Sequence, residues 1–405
     1  METPNLNTLP ETATPTAPAV KIFGVGNAGA ELLDTLATAE FAAAAFAVIN
    51  TDTAALGAAS APVKIHLENK LLRGLGSGGD PDRSRALAEE QFSTLKSACA
   101  GADVVLIVAG LGGGAGSGIS PVLARAAREA GALVIAFVSL PFECEGNRRE
   151  QQALTALDQL KAAADGVICL PNQKIFKLID ENTSVVDTFR FTGNFLIEGI
   201  RGVWQLIARP GLIQVHFADL CTLLRDGHTE SAFAFVEASG PARSREVVEK
   251  ILAHPLFEEG RVLMESDAVL ISLKAGKDLT MAEVNRVMEK INRQCGRAKI
   301  IMGASVDPEF KNRLCVTVIA AKGGGSAPTG GVRPETGTAT SHSAGRRSVT
   351  TESGGRKRAV IKKPVQGQLP LNIIAKSRFD KSEPTLHRGE DLDVPTFIRR
   401  GLALN

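Results

Sequence analysis

The chain has 405 residues, 44% of them hydrophobic, which is enough for two folded domains with flexible segments and too much for a single small module. Lys and Arg number 46 against 44 Asp and Glu, a net charge of +2, so composition gives no electrostatic case for a specific nucleic-acid partner. Cys99, Cys144, Cys169, Cys221, Cys295 and Cys315 form no C-x-x-C pair, and no His stands at zinc-finger spacing; no metal site is expected, and a reducing cytoplasm fits best.

Met1 to Ala19 is rich in Pro and Thr, lacks a basic start and an apolar run, and does not read as a signal peptide. No stretch approaches the roughly 18 apolar residues needed to span a bilayer. From Val20 to about Ile168, short β-branched runs at Lys21 to Phe23, Phe46 to Ile49, Val104 to Val108 and Leu133 to Val138 alternate with helical patterns. That alternation predicts a doubly wound α/β domain on a parallel sheet. A long helical pattern from Val185 to Ala208 carries apolar residues on more than one face, which predicts burial between layers; Arg209, Pro210 and Gly211 end it. Strands at Ala232 to Glu237, Ala268 to Leu273, Lys299 to Ala304 and Leu314 to Ala320, with helices near Ser244 to Ala253 and Met281 to Gln294, predict a second, smaller α/β domain. Beyond Lys322 the chain is Gly-, Ser-, Thr- and Pro-rich and basic, with too little apolar surface to offset its ordering entropy; a disordered, self-repelling linker is expected. An apolar-basic cluster, Asp391-Leu-Asp-Val-Pro-Thr-Phe-Ile-Arg-Arg400, closes the chain as a docking peptide.

Three glycine-rich loops follow strands of the first domain. Gly24-Val-Gly-Asn-Ala-Gly29 fits G-x-G-x-x-G, and Asp52, about 23 residues on, could serve as the ribose-binding acid of a dinucleotide site. The second loop is Arg73-Gly-Leu-Gly-Ser-Gly-Gly79 and the third Gly110-Leu-Gly-Gly-Gly-Ala-Gly-Ser-Gly118. Glycines let backbone N–H groups approach an anion, and the helix after the third loop adds its positive end at Ile119. Three such loops on one crevice suit a triphosphate. A nicotinamide site would leave the second and third unexplained.

The third loop is similar to the tubulin signature, and the sequence resembles the tubulin/FtsZ family of GTPases. Further matches are Asn50-Thr-Asp52, Asp80-Pro81, Pro141-Phe-Glu-Cys-Glu-Gly-Asn-Arg-Arg149, Pro171-Asn172, Phe189, Arg209-Pro-Gly-Leu212, Phe217-Ala-Asp219 and the tail. They run in the family's order over about Lys21 to Ala321. The resemblance implies an α/β fold in which a parallel-sheet GTP-binding domain (20–182) is joined by a central helix (183–210) to a smaller α/β domain with a subunit-contact loop (211–322). An N-terminal arm (1–19), a linker (323–388) and a partner-docking tail (389–405) complete the expected layout.

It also implies a GTP/GDP site, with Mg2+ accompanying the nucleotide. The glycine-loop residues Gly26, Asn27, Ala28, Gly29, Gly76, Gly112, Gly113, Gly114, Ala115, Gly116 and Ser117 would wrap the phosphates, and Asn50 would belong to the same site. Glu145 and Arg149 would hold ribose and phosphate, Asn172 would meet the base and Phe189 would stack on it. Ala115 replaces the family's usual Thr, a loss of roughly 0.5 to 1.5 kcal/mol that leaves the backbone donors in place. Gly193-Asn194 stand where the family places acidic or amide groups against the guanine edge, and Glu31 stands at a usual Asn; Glu31 is expected to supply the carboxylate that Gly193 cannot. In the family, carboxylates after the central helix complete the site of the next subunit, so hydrolysis needs assembly. Here that segment reads Gln214, His216 and Asp219, one acid kept and one replaced by imidazole. Slow, assembly-dependent GTP hydrolysis is expected, with Asp219 as principal acid and His216 auxiliary; a filament scaffold that scarcely hydrolyses GTP is the alternative. The resemblance further implies a head-to-tail homopolymer at the mid-cell division ring, cytoplasmic, without a membrane span. Division adaptors and regulators would dock through Val394, Phe397, Ile398 and Arg399.

Overall fold

The computed structural model describes residues 18–68, 76–208, 212–213, 215 and 229–322, together with 386–387 and 390–391. Six strands, β1 (Val20–Val25), β2 (Ala45–Asn50), β3 (Val63–His66), β4 (Val104–Gly110), β5 (Leu133–Leu140) and β6 (Gly166–Pro171), pair in parallel in the order β3-β2-β1-β4-β5-β6. The four runs expected from sequence lie inside β1, β2, β4 and β5. Their connections are α1 (Gly26–Leu36), α2 (Thr53–Ala58), α3 (Pro81–Glu90), α4 (Phe92–Cys99), α5 (Gly114–Glu129) and α6 (Asn147–Ala163). Helices on both faces require strands apolar on both sides. β4 meets this by alternation: Val104, Leu106 and Val108 pack with one cluster, Val105, Ile107 and Ala109 with the other.

After the one-turn α7 (Asn172–Ile175) comes α8 (Val185–Ala208), with the bounds its sequence pattern predicts. Its second half is core: Leu196, Ile200, Val203 and Trp204 are buried, and Trp204 Nε1 donates to the Glu40 carbonyl at 3.0 Å. Gly199 and Gly202 permit this approach, since a Cβ there would stand 2.7 Å from Phe233 and Thr317 respectively. The first turn departs from the expected burial, with Val185 and Val186 exposed at 72% and 67%.

The strands that follow, β7 (Thr229–Ser239), β8 (Ala268–Ala275), β9 (Lys299–Val306) and β10 (Arg313–Ala321), extend the same sheet. β7 pairs in parallel with β6 through Gly166↔Thr229 to Ile168↔Ser231, and the order continues β7-β10-β8-β9, antiparallel except for β8–β9. The cluster on the α8 side of the sheet accordingly runs across both halves, from Val20 to Ile319. α9 (Arg243–Leu252), α10 (Arg261–Met264) and α11 (Met281–Gln294) accompany the second half. Within it, buried Arg243 bonds Glu283 at 2.7 Å and Asp278 at 2.6 Å, satisfying a charge that burial alone would not tolerate. A separate unit, 331–405, contributes the two-residue ladder of β11 (Leu386–His387) and β12 (Glu390–Asp391). Leu386–His387 fall at the end of the expected linker; the rest of that linker and the tail residues Val394, Phe397, Ile398 and Arg399 lie outside the described residues. No described helix is long and apolar enough to cross a membrane.

Candidate functional site

Strand order reverses between β1 and β4, and in such sheets the crevice at the carboxyl ends of the strands beside the reversal receives ligands. The helices there differ at their N-termini. Asp52 Oδ1 caps α2 by accepting from the N–H groups of Ala54 and Ala55, and Asp80 Oδ1 caps α3 through Asp82 and Arg83. α1 and α5, after β1 and β4, have no side-chain cap among the described residues. Their leading N–H groups and helix dipoles are left for an anion. The expected positive end at Ile119 is corrected: α5 starts at Gly114. Glycine disfavours a helix interior, but a Cβ at Gly116 would lie 2.1 Å from the Gly110 carbonyl oxygen and one at Gly118 2.3 Å from that of Pro81. Close packing overrides propensity here.

These helix ends open into a cavity of about 540 Å3. At one end Gly26, Asn27 and Ala28 meet Gly76 to Gly79 and Gly113 to Gly116. The loops touch: a Cβ on Gly26 would stand 3.1 Å from the Gly116 nitrogen, and one on Gly114 2.2 Å from Ser77 Oγ. Asn50, buried at the end of β2, donates from Nδ2 to Asn27 Oδ1 at 2.7 Å, while its Oδ1 accepts from Thr51 and Asp52. Thr51 Oγ1 accepts from the Ser77 N–H at 3.2 Å, tying the second loop to the turn after β2. Three residues expected in the site are not on the cavity wall. Gly29 packs α1 on β4, with 2.4 Å between its would-be Cβ and the Val108 oxygen; Gly112 turns with φ +99°; and buried Ser117 Oγ accepts from the Gly112 N–H at 2.8 Å. All three shape the cradle from behind.

The other end is built from side chains. Glu145 accepts from the Phe142 N–H at 2.9 Å and pairs with Arg149, whose side chain is more than half exposed. Phe189 stands edge-on to Phe142, centroids 5.2 Å apart, and is 48% exposed, leaving ring surface open. Asn172 is 5% exposed, and its Oδ1 has no hydrogen-bond partner. A buried acceptor left bare costs about 1–3 kcal/mol, so this atom marks where a ligand donor belongs. Glu31, Gly193 and Asn194 also line this end. Beneath it, Lys174 of α7 bonds Glu258 at 2.7 Å, and His254 stacks on Phe195 of α8. Burial pushes the His254 imidazole down to about 4. Sequence reading missed wall residues Thr35, Ser139, Arg190 and Thr192; a lone hydroxyl carries no local signal. Gln214, His216 and Asp219 lie outside the described residues. No cluster of three or more metal-ligating side chains occurs among the described residues. The cavity can thus hold a polyanion at its glycine end and a planar polar ring at the other.

Comparison with known proteins agrees. Residues 19–180 match the Tubulin/FtsZ family, GTPase domain, and 231–323 the FtsZ family, C-terminal domain. The cell division protein FtsZ of Coxiella burnetii is 31% identical over 393 residues, 94% of this chain and 96% of that protein. That of Magnetospirillum gryphiswaldense is 33% identical over 316 residues, 78% of this chain but 56% of its own length. An empty FtsZ dimer from M. jannaschii superposes with a TM-score of 0.70 at 32% identity, over 76% of this chain and 88% of that one.

Proposed function

The chain belongs to the tubulin/FtsZ family of GTPases, and from that membership and the cavity's chemistry we propose that it binds GTP, polymerises head to tail at the bacterial division site, and hydrolyses the nucleotide where the next subunit completes the site. The observation that carries this reading is one cavity uniting three glycine loops with the bare, buried Asn172 Oδ1. In the proposed pose the backbone N–H groups of Gly26 to Ala28, Gly76 to Gly79 and Gly113 to Gly116 hold the phosphates. Glu145 and Arg149 hold ribose and phosphate, Asn172 accepts from the base, and Phe189 offers its ring. Mg2+ fits this arrangement as an ion carried by the phosphate oxygens and water, the usual habit of this cation; it would neutralise phosphate charge during transfer.

Head-to-tail stacking is heterologous and open-ended, so it gives filaments. Asp219, with His216 and Gln214 beside it, enters the neighbour's site in this reading, and Asp219 accepts a proton from the attacking water. An imidazole in place of a second acid makes turnover slow. We place the domain boundaries at 182, 210 and 322, and assign the tail, through Val394, Phe397, Ile398 and Arg399, to division adaptors.

The test is phosphate release as a function of protein concentration. A threshold is expected, with Asp219→Ala retaining GTP and losing turnover by roughly 100-fold or more. Turnover strictly proportional to concentration would overturn completion between subunits. Sedimentation with GTP but without phosphate release would leave a nucleotide-gated scaffold.

A further inference from the structure

Glu258 and Glu259 have φ +47° and +57°, in the left-handed region, and Gly260 follows at +86°. Glycine suits such a conformation; two glutamates do not, and the run persists only where surrounding contacts hold it. Those contacts are present. Phe257 is buried just before the run, the Gly260 N–H donates to the Phe257 carbonyl at 2.9 Å, and a Cβ on Gly260 would stand 2.6 Å from Gln294 Nε2. The turn presents the Glu258 carboxylate to the first half of the molecule. Its Oε1 accepts from Lys174 Nζ at 2.7 Å, and its Oε2 accepts from Arg261 of α10. The Lys174 ammonium, and after it the Arg261 guanidinium, hold this carboxyl below the usual carboxylate range.

Lys174 belongs to α7, a single turn of four residues. A helix this short has no stability of its own, so its placement comes from what it touches. Ile175 is buried in the core, and Gln173 Oε1 accepts from the Glu143 N–H at 3.2 Å, a bond within the first half. Lys174 carries the bond to the second half. Two positions before it stands Asn172, with its bare Oδ1 in the cavity wall. Helical side chains two apart point in nearly opposite directions, so one turn reaches Glu258 on one side and the cavity on the other.

We propose that Glu258 is a positioning residue for nucleotide binding: through Lys174 it fixes the α7 turn and with it Asn172, so the second half raises affinity without touching the nucleotide. This rests on reading the cavity as a nucleotide site. An acceptor on a loose turn loses conformational entropy when its ligand arrives, and a bridge that fixes the turn beforehand removes part of that loss. Both side chains of the pair are partly exposed, which limits the effect to a few-fold.

The experiment measures affinities of GTP and of inorganic triphosphate for the full-length wild type, Glu258→Gln, Lys174→Arg, Arg261→Gln, Asn172→Ala and the Glu258→Gln/Asn172→Ala double variant. Glu258→Gln is expected to weaken GTP about three- to fivefold and to leave triphosphate, held at the glycine end, within about twofold of wild type. Lys174→Arg keeps the bridge and Arg261→Gln leaves it untouched, so both stay within about twofold of wild type for either ligand. In the Asn172→Ala background, Glu258→Gln has no further effect on GTP, because the atom it positions is gone. Unchanged GTP affinity in Glu258→Gln would overturn the proposal, as would additive losses in the double variant. An equal loss of GTP and triphosphate in Glu258→Gln would also overturn it, since a general loss of packing acts on both ends. If neither ligand bound the wild type, the nucleotide reading itself would fall.

Discussion

In the proposed pose the two ends of the cavity recognise the nucleotide by different means. The glycine end uses backbone: N–H groups of α1, α5 and the loop before α3, held by approaches as close as the 2.1 Å that a Gly116 Cβ would make with Gly110. The ring end uses side chains from α1, α7 and α8, several of them solvent-exposed before a ligand arrives. A backbone cradle tolerates side-chain change but not an added Cβ, so Ala115 can replace a hydroxyl there at small cost. A side-chain pocket behaves oppositely: its frame accepts substitution while its selectivity changes.

The largest expected effect breaks the glycine end. In Gly116→Ala the new methyl meets backbone oxygen, which cannot rotate away, so nucleotide affinity should fall by ~100-fold or more and melting temperature should drop as well. Gly113→Ala sharpens the contrast, because no protein atom lies within 4 Å of its would-be Cβ. Its stability should stay within about 0.5 kcal/mol of wild type, while the methyl takes up space on the phosphate side of the wall. Calorimetric binding alongside thermal melts distinguishes the two; a Gly116→Ala variant that binds normally would mean that the cradle is not built from these loops.

This difference also decided what the sequence could reveal. Glycine loops after strands are local, so all three were legible, as were α8 and the apolar runs within β4 and β5. The start of α5 was not, because Gly114, Gly116 and Gly118 read as a loop by propensity and become helix only where Gly110 and Pro81 press on them. β3, four residues on the sheet edge, gives too short a pattern. The union of both halves in one sheet rests on three pairs between β6 and β7, more than sixty positions apart in the chain and without local signal. At the ring end, Asn172 and Phe189 were named only through family resemblance; the bare state of Asn172 Oδ1 is a property of packing.

Asn172→Ala is the next largest effect, and its sign depends on ligand. Without nucleotide, removing an unsatisfied buried acceptor should leave stability unchanged or raise it by up to about 1 kcal/mol. With nucleotide, the base loses a partner and affinity falls about 10-fold. Melting the variant with and without GTP measures both. Destabilisation of the free protein by several kcal/mol would show that Asn172 already serves the fold.

The smallest effect concerns the support under the ring end. His254 stacks on Phe195 of α8, and its Nδ1 accepts from the Leu256 N–H at 3.2 Å, so the folded protein favours the neutral ring. Its value falls from 6.5 to about 4 on burial. Between those values the unfolded chain binds the extra proton and the native chain does not, so stability is full above about pH 6.5 and declines as pH falls toward 4. From pH 7.5 to 6 the loss is roughly 1 kcal/mol. The Arg243–Glu283 pair is silent in this window, because the guanidinium holds Glu283 down at about 2. His254→Asn keeps an acceptor for Leu256 and cannot titrate, so its urea midpoint should be flatter over this range. Because Phe195 lies on the helix that carries Phe189, Gly193 and Asn194, acidification should loosen the ring end first. GTP affinity should then fall more steeply with pH than the affinity for inorganic triphosphate, which is held by the glycine end alone and shares the titration of the terminal phosphate. Equal pH slopes for the two ligands would show that the ends are not independent, and the division between backbone and side-chain recognition would have to be given up.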